Sequence, residues 1–227
     1  MYDLYIANKN YSSWSLRPWV LMRELNIGFR EHLMRFGQPA SWEGYCKISP
    51  SGKVPCLVDG DTAVWDSLAI AEYLAETHAA VWPADSRARA WGRSAAAEMH
   101  SGFGELRNHC SMSCGVTVRL KEFPPALERD IERMGTLWSD GLQRFGGPYL
   151  TGSSFTAADA FFAPVAFRIR TYGLKLVPAA ADYAQRLLGL ASMRDWYRDA
   201  LKEKFRDEPH EVELAEKGTV LEDLRAR

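Results

Sequence analysis

The stretch YDLYIANKNYSSWSLRPWVLMREL, residues 2–25, joins a strand pattern to a helix pattern through a short turn rich in hydroxyl groups. Residues 2–7 are mostly aromatic or aliphatic and predict a strand. Leu16, Trp19 and Val20 then follow helical spacing. A strand that leads directly into a helix is the first half of a strand–helix–strand unit, so this stretch predicts a mixed α/β arrangement.

The start of this helix decides which hydroxyl groups of the turn are used for capping. If Ser15 is the N-cap, Pro18 lies in the first turn, where its missing N–H has no intrahelical partner anyway. We therefore predict a helix that begins near Ser15. This start leaves the hydroxyl groups of Ser12 and Ser13 without a capping role and available to a ligand, whereas Tyr11 is expected to be half-buried at the strand end.

Further strand and helix patterns follow up to residue 78. Residues 29–36 alternate apolar and polar side chains and predict a second strand, and residues 41–48 predict a short irregular or helical stretch. Two more strand patterns flank Asp59-Gly60-Asp61, a typical hairpin turn, and residues 66–78 predict a helix. This order implies a parallel first pair with a right-handed crossover and an antiparallel hairpin at one edge of a mixed sheet.

The remainder of the chain, after a linker at residues 83–86, has helical patterns and no convincing strand pattern. The predicted helices cover residues 87–109, 125–145, 156–172, 180–191 and 192–205. The sequence leaves open whether the charge-rich tail after Arg206 is a helix, a segment draped over the surface or a mobile end. We predict the fold class α/β plus all-α, with one domain over residues 1–80 and an all-helical domain over residues 86–227.

Composition excludes several classes of function. The 227 residues contain 28 Lys and Arg against 29 Asp and Glu, so the formal net charge is −1. That balance argues against a broad nucleic-acid surface, and no apolar run approaches the ~18 residues that span a bilayer. The first residues have no basic region of the kind found in secretory signals, and four cysteines make no disulfide framework. We expect a cytoplasmic protein with no membrane or nucleic-acid partner.

Metal and nucleotide chemistry find no support in the sequence. Cys110 and Cys114 are four residues apart on a predicted helix, but a structural zinc site needs four ligands, and Cys46 and Cys56 lie in the other domain. Cys56 is expected to be a small buried apolar residue. The chain has no C-x-x-C pair, P-loop or dinucleotide-binding fingerprint. We predict no metal site.

Four motifs together resemble the cytosolic glutathione transferases. SSWS (12–15), SPSGKVPCL (49–57) and DSLAIAEYL (66–74) are similar to three motifs of the family, and residues 149–165 resemble its N-capping box, here Thr156 and Asp159. The first motif is similar to that of the serine-type theta and zeta classes, and Arg17 also fits the zeta pattern, although Trp14 replaces the cysteine of the zeta motif. The resemblance implies a thioredoxin-like N-terminal domain followed by an all-helical domain.

Thiol chemistry explains why serines would stand in the first motif. A thiol is nucleophilic as a thiolate, and a free cysteine has a pKa of about 8.5. A hydroxyl group that donates to sulfur and a nearby helix N-terminus both favour the anion. The resemblance implies that Ser12 is the catalytic donor, with Ser13 as the alternative if the motif is displaced by one residue.

The second and third motifs imply a binding site for glutathione. By resemblance, the Val54–Pro55 bond is cis, and the Val54 backbone pairs with the peptide as an added strand would. Ser67 is expected to hold the γ-glutamyl carboxylate with Asp66 close to the ligand's ammonium group, although Asp66 also fits a simple helix cap. Lys53 is the expected partner of the glycyl carboxylate, unless it is merely solvated.

The resemblance implies a detoxifying transferase that uses glutathione as its co-substrate and attacks a small hydrophobic electrophile. The electrophile would lie between the domains, partly against residues 87–120, and the protein would be a homodimer. Two alternatives stay open. One is a zeta-like glutathione-dependent cis–trans isomerase of the maleylacetoacetate type, which acts on a maleyl diacid. The other is a non-catalytic glutathione-transferase-like binding module.

Overall fold

The computed structural model describes residues 1–37 and 41–226. Its N-terminal part contains a four-stranded mixed sheet in the order β2-β1-β3-β4. β1 is parallel to β2, and β3 is antiparallel to both β1 and β4, as the sequence predicts. The strands are β1 (Tyr2–Ile6), β2 (Phe29–Leu33), β3 (Cys56–Asp59) and β4 (Thr62–Trp65).

Three helices accompany this sheet, and a single 3₁₀ turn, Ala79–Val81, follows them. They are α1 (Ser13–Glu24), α2 (Ser41–Cys46) and α3 (Ser67–Ala75). The hairpin between β3 and β4 turns at Gly60, whose φ of 63° favours glycine. The N-terminal elements thus follow the predicted order.

The predicted N-cap of α1 is wrong by three residues. Ser12, not Ser15, is the N-cap: its Oγ accepts from the Ser15 backbone N–H at 3.4 Å. Ser15 is unavailable for this role because its own Oγ accepts from the Ala7 backbone N–H at 3.1 Å, which ties the helix to the end of β1. Pro18 therefore lies in the second turn, inside the helix.

The C-terminal part is helical, as predicted, and contains seven α-helices within the described ranges. These are α4 (Ser86–Ser101), α5 (Gly104–His109), α6 (Pro125–Phe145), α7 (Ala157–Tyr172), α8 (Pro178–Leu188), α9 (Ala191–Lys202) and α10 (Glu208–Lys217). The predicted single helix over residues 87–109 is interrupted, because Gly102 is extended and Phe103 has a left-handed φ of 53°.

The expectation of no strand in this part is wrong. β5 (Val116–Leu120) pairs antiparallel with β6 (Gly218–Asp223) in a small second sheet. β5 buries Val116 and Val118 and exposes Thr117 and Arg119, so it has the alternation of a half-buried strand. β6 is exposed beyond its first residue, so its sequence has no such alternation.

The core of the helical part is built around α7. Nearly every residue of α7 is buried, and the helix packs against α1, α4, α8 and β5. The predicted capping box of Thr156 and Asp159 is present at its start. Among the described residues, none of the helices combines the length and apolar character needed to cross a membrane.

The chain's last segment is fixed to the turn after β1. Tyr11 is buried and its Oη donates to Glu211 Oε1 at 2.7 Å, while Arg225 forms ion pairs with Glu211 and Asp223. Burial alone would raise the pKa of Glu211, but hydrogen bonds from Arg225 and Tyr11 outweigh it and lower that pKa. The Arg225 hydrogen bond likewise lowers the pKa of Asp223.

These lowered pKa values predict that acid loosens the C-terminal segment. A carboxylate whose pKa is lower in the folded state stabilises that state above its unfolded pKa, and this contribution is lost as pH falls through the folded value. We expect hydrogen-exchange protection factors in α10 and β6 to fall between about pH 5 and pH 3, before those of α7. Arg225→Met should remove this difference in pH dependence. Protection that stays constant over this window in the unmodified chain would contradict the expectation.

Candidate functional site

Two adjoining cavities form one cleft beside the sheet and between the two parts of the chain. Their volumes are about 480 and 380 Å³, and both are lined by Trp14, Lys53 and Val54. Pro55, Asp66 and Ser67 line the first cavity. Ser12 and Ser13 line the second. The structure thus brings all seven predicted site residues to one cleft.

Two helices begin at this cleft, and each has a serine as its first residue. Ser13 begins α1 and Ser67 begins α3. The first N–H groups of a helix have no intrahelical partner, and the aligned peptide dipoles give that end a partial positive charge. The cleft therefore offers two places that favour anionic groups.

Asp66 and Ser67 are held in different ways. Asp66 is exposed and caps α3, with Oδ1 accepting from the Leu68 backbone N–H at 2.7 Å. Its other oxygen, Oδ2, lies 3.6 Å from His100 Nε2. Ser67 is buried, and its Oγ accepts from Arg17 Nη1 at 3.3 Å. Asp66 therefore caps the helix and also lines the first cavity.

The loop before β3 supplies the cleft with its backbone. The Val54–Pro55 bond is cis, as the resemblance predicts. Lys53 is exposed beside it and has no resolved ion pair within the described ranges. Cys56, which follows, is buried, and burial raises the pKa of its thiol. Cys56 is thus a packing residue, as expected.

Ser12 and Ser13 differ in their surroundings. Ser12 is 5% exposed and its Oγ donates to Ser15 Oγ at 2.7 Å. Ser13 is half-buried, and its Oγ accepts from Arg168 Nη2 at 3.3 Å. The prediction that neither serine has a capping role is wrong for Ser12, which is the N-cap of α1.

Three arginines near the cleft were given no role from the sequence. Arg17 is 2% exposed, and its guanidinium lies 4.1 Å from the centre of the Trp14 ring. Arg107 lies 5.3 Å from the same ring, and Arg168 is 4% exposed. In the described ranges none of the three forms an ion pair with a carboxylate, and the Nε–H of each has no hydrogen-bond partner.

These arginines place positive charge beside the cleft. Burial, followed by the like charges of Arg107 and Arg168, lowers the pKa of Arg17 to about 9. Burial also lowers the pKa of Arg168 to about 10 and lowers that of Arg107. A buried cation without a carboxylate partner favours the binding of an anion. Sequence patterns do not bring the three arginines together, because their side chains come from α1, α5 and α7, although Arg17 fits the zeta-like motif.

The C-terminal segment also lines the second cavity. His210 and Glu213 of α10 lie there with Met112 and Arg168. His210 stacks on Tyr11 with ring centres 4.9 Å apart, which places α10 over the turn that holds the two serines. The sequence left the structure of this tail open, so its contribution to the site was missed.

The cysteine pair considered as a metal candidate has another arrangement. Cys110 follows the end of α5 and Cys114 precedes β5, so the two do not share a helix as predicted. Both are buried, and burial raises the pKa of each thiol to about 12. Neither thiol is a nucleophile near neutral pH.

Comparisons with known proteins identify the family. Residues 11–77 match the glutathione S-transferase N-terminal domain, and residues 89–199 match the glutathione S-transferase C-terminal domain. A probable maleylacetoacetate isomerase from Caenorhabditis elegans is 31% identical over 77% of this chain and 82% of its own length. A zeta-class glutathione S-transferase from Euphorbia esula is 33% identical over 53% of this chain, a match that spans 55% of that relative.

A solved structure supports the same fold. A glutathione transferase homologue from Burkholderia GL BGR1, solved with bound glutathione, has a TM-score of 0.62 and 22% identity. The alignment covers 88% of this chain and 97% of the homologue. The predicted fold, a mixed sheet with helices followed by a helical domain, and the predicted enzyme class are confirmed. The chain is a glutathione transferase and belongs to the glutathione S-transferase family.

Proposed function

We propose that this enzyme binds glutathione along the cleft, ionises its thiol at the start of α1 and transfers it to a small hydrophobic electrophile in the second cavity. The observation that carries the proposal is the meeting of two serine-led helix N-termini with three arginines, two of them buried, that have no carboxylate partner among the described residues. A tripeptide with two carboxylates and an ionisable thiol matches this arrangement of charge.

Glutathione would extend from Ser67 to the serines of α1. The γ-glutamyl carboxylate would bind the N-terminus of α3 and the Ser67 hydroxyl group, with its ammonium group near Asp66. The backbone of Val54, before Pro55, would pair with the cysteinyl residue as a strand does. Lys53 would lie beside the glycyl carboxylate. The shared lining of both cavities by Lys53 and Val54 supports this path.

The sulfur would then lie at the Ser12–Ser13 end of the cleft. A hydroxyl group that donates to the sulfur stabilises the thiolate, as do the positive end of α1 and nearby guanidinium groups. The thiolate attacks an electrophilic carbon, a carbon–sulfur bond forms, and the leaving group departs with the electron pair of its bond. The second cavity provides a site for the electrophile, with apolar surface from Met112 and Phe36.

Resemblance to the family supports three further parts of the proposal. The enzyme would work in the cytoplasm, act in detoxification and form a homodimer in which the small domain of one subunit faces the large domain of the other. Light scattering tests the last part. The expected mass is near twice the 25.6 kDa of the chain, and a mass of 25.6 kDa would contradict it.

The proposal is tested by measuring glutathione binding and turnover together. We expect calorimetry to detect glutathione binding, and a chloronitrobenzene assay to show conjugation that depends on both glutathione and enzyme. Binding without any conjugation, over a panel of electrophiles, would favour a glutathione-binding module without catalysis. No binding at all would overturn the proposal.

A second candidate is supported by Arg107 and Arg168, which line the cavity next to the serines. Carboxylates pair with guanidinium groups, so this cavity also suits an electrophile that is itself anionic. A zeta-like isomerase acting on a maleyl diacid fits that chemistry, whereas Trp14 departs from the zeta motif. Glutathione-dependent isomerisation of a maleyl diacid that is lost in Arg107→Met would favour this candidate over simple transfer.

A further inference from the structure

Ser13 and Ser67 share an arrangement that Ser12 does not have. Each is the first residue of a helix that begins at the cleft, and each Oγ accepts a hydrogen bond from a buried arginine. Arg168 Nη2 lies 3.3 Å from Ser13 Oγ, and Arg17 Nη1 lies 3.3 Å from Ser67 Oγ. A hydroxyl group that accepts from an arginine must direct its own proton elsewhere, since arginine has no acceptor.

The proton of Ser12 is already used inside the protein. Ser12 Oγ donates to Ser15 Oγ at 2.7 Å and accepts from the Ser15 backbone N–H at 3.4 Å. Ser15 in turn accepts from Ala7 at the end of β1. Ser12 therefore supports the serine that links α1 to the strand, and giving its proton to a ligand would break the Ser12–Ser15 hydrogen bond.

The proton of Ser13 has no such use. Across residues 1–37 and 41–226 no side chain or backbone group accepts it, and Ser13 is half-buried in the wall of the second cavity. With Arg168 on one side of its oxygen, the O–H bond is free to turn toward the cavity. Ser13 thus presents a donor where Ser12 presents none.

Arg168 is held firmly enough to orient Ser13. It is 4% exposed on α7, and its Nη1 donates to the Cys110 backbone carbonyl. It has no carboxylate partner in the described part of the chain, so its charge is available to an anion next to Ser13. A hydroxyl group polarised by a guanidinium is a stronger donor, and the same positive charge favours a thiolate over a thiol.

We propose that Ser13, rather than Ser12, donates the hydrogen bond that keeps the glutathione sulfur ionised, and that Arg168 is a positioning residue acting through Ser13. This inference rests on the proposed function, because it specifies which hydroxyl group of that site contacts the sulfur. Ser12 then has a structural role as the N-cap of α1.

The test is a pH titration of the ultraviolet absorbance of enzyme-bound thiolate, with calorimetry to verify glutathione binding in each variant. We expect Ser13→Ala to raise the pH midpoint of thiol ionisation by about one to two units and to slow conjugation at neutral pH by about 10–100-fold. Ser12→Gly removes the other hydroxyl group at little loss of capping, so its midpoint should move far less. Ser12→Ala is a second variant for the same comparison.

Arg168 is tested by the same titration. Arg168→Met should raise the midpoint of thiol ionisation, as Ser13→Ala does. Arg168→Lys should raise it less than Arg168→Met. In the Ser13→Ala background, Arg168→Met should add less than it does alone, because it acts through Ser13. A purely structural role would lower the unfolding midpoint and leave the thiol midpoint unchanged.

Other results would overturn the inference. If either Ser12 variant shifts the midpoint as much as Ser13→Ala does, or more, the assignment of the sulfur contact to Ser13 is wrong. An unchanged midpoint in Arg168→Met would remove Arg168 from the site. If the unmodified enzyme binds no glutathione, the proposed function itself fails, a result that calorimetry separates from a wrong choice of serine.

Discussion

Replacing Asp159 by alanine is expected to lower the free energy of unfolding by about 3–5 kcal/mol. Asp159 is fully buried at the start of α7. Its carboxylate accepts from the backbone N–H groups of Leu150 and Thr156 at 3.0 and 2.9 Å, and from Tyr183 Oη at 2.8 Å. Alanine leaves these three donors buried and unpaired, and each such donor costs about 1–3 kcal/mol.

The matched control is Asp85→Ala. Asp85 also caps a helix, α4, with Oδ1 accepting from the Ala88 backbone N–H at 2.8 Å, but it is exposed. Water can replace this hydrogen bond, so the expected loss is about 1 kcal/mol. Urea unfolding of both variants measures the difference. Equal losses would show that the buried network around Asp159 contributes no more than an ordinary cap.

Replacing Arg17 by methionine is expected to weaken glutathione binding by about 10–100-fold without destabilising the fold. The guanidinium donates to Ser67 Oγ at 3.3 Å and packs against the rings of Trp14 and Phe161, at 4.1 and 4.9 Å. Its charge has no carboxylate partner among the described residues. We propose that a carboxylate of glutathione supplies this partner, through Ser67 and the start of α3.

The sign of the stability change distinguishes a ligand-binding arginine from a structural one. An unpaired buried charge opposes folding, and methionine keeps the apolar stem, so the free energy of unfolding should stay the same or rise by up to about 2 kcal/mol. Arg93→Met is the control: Arg93 is exposed and paired with Glu72 at 3.0 Å. Removing it should change stability by less than about 1 kcal/mol and leave glutathione binding intact.

Calorimetry and urea unfolding on the same preparations test this expectation. Unchanged glutathione affinity in Arg17→Met would exclude Arg17 from the binding site. A loss of stability well beyond that of Arg93→Met would indicate that Arg17 serves the fold, with any loss of binding as a consequence.

Local signals explain what the sequence could predict. The strand, turn and helix of residues 2–25, the hairpin at Gly60 and the capping box at Thr156 each depend on a few neighbouring residues, and each is present in the structure. The four family motifs are local in the same sense. They placed seven residues at one cleft, although their individual roles remain proposals.

Distant contacts explain what the sequence could not predict. β5 and β6 are about a hundred residues apart in the chain, and β6 has no buried face that would give it a strand pattern. The choice of Ser12 over Ser15 as the cap depends on a hydrogen bond from Ala7. Arg107 and Arg168 differ from surface arginines only in their surroundings. The residue pattern along their helices does not reveal those surroundings.

A crystal structure with bound glutathione tests most directly whether the tripeptide lies along the cleft with its sulfur at the start of α1. We predict that the γ-glutamyl carboxylate meets the first residues of α3 and that the sulfur lies within hydrogen-bond distance of Ser13 Oγ. A glutathione molecule bound elsewhere, or one whose sulfur lies far from both Ser12 and Ser13, would contradict this binding mode and the thiol activation that depends on it.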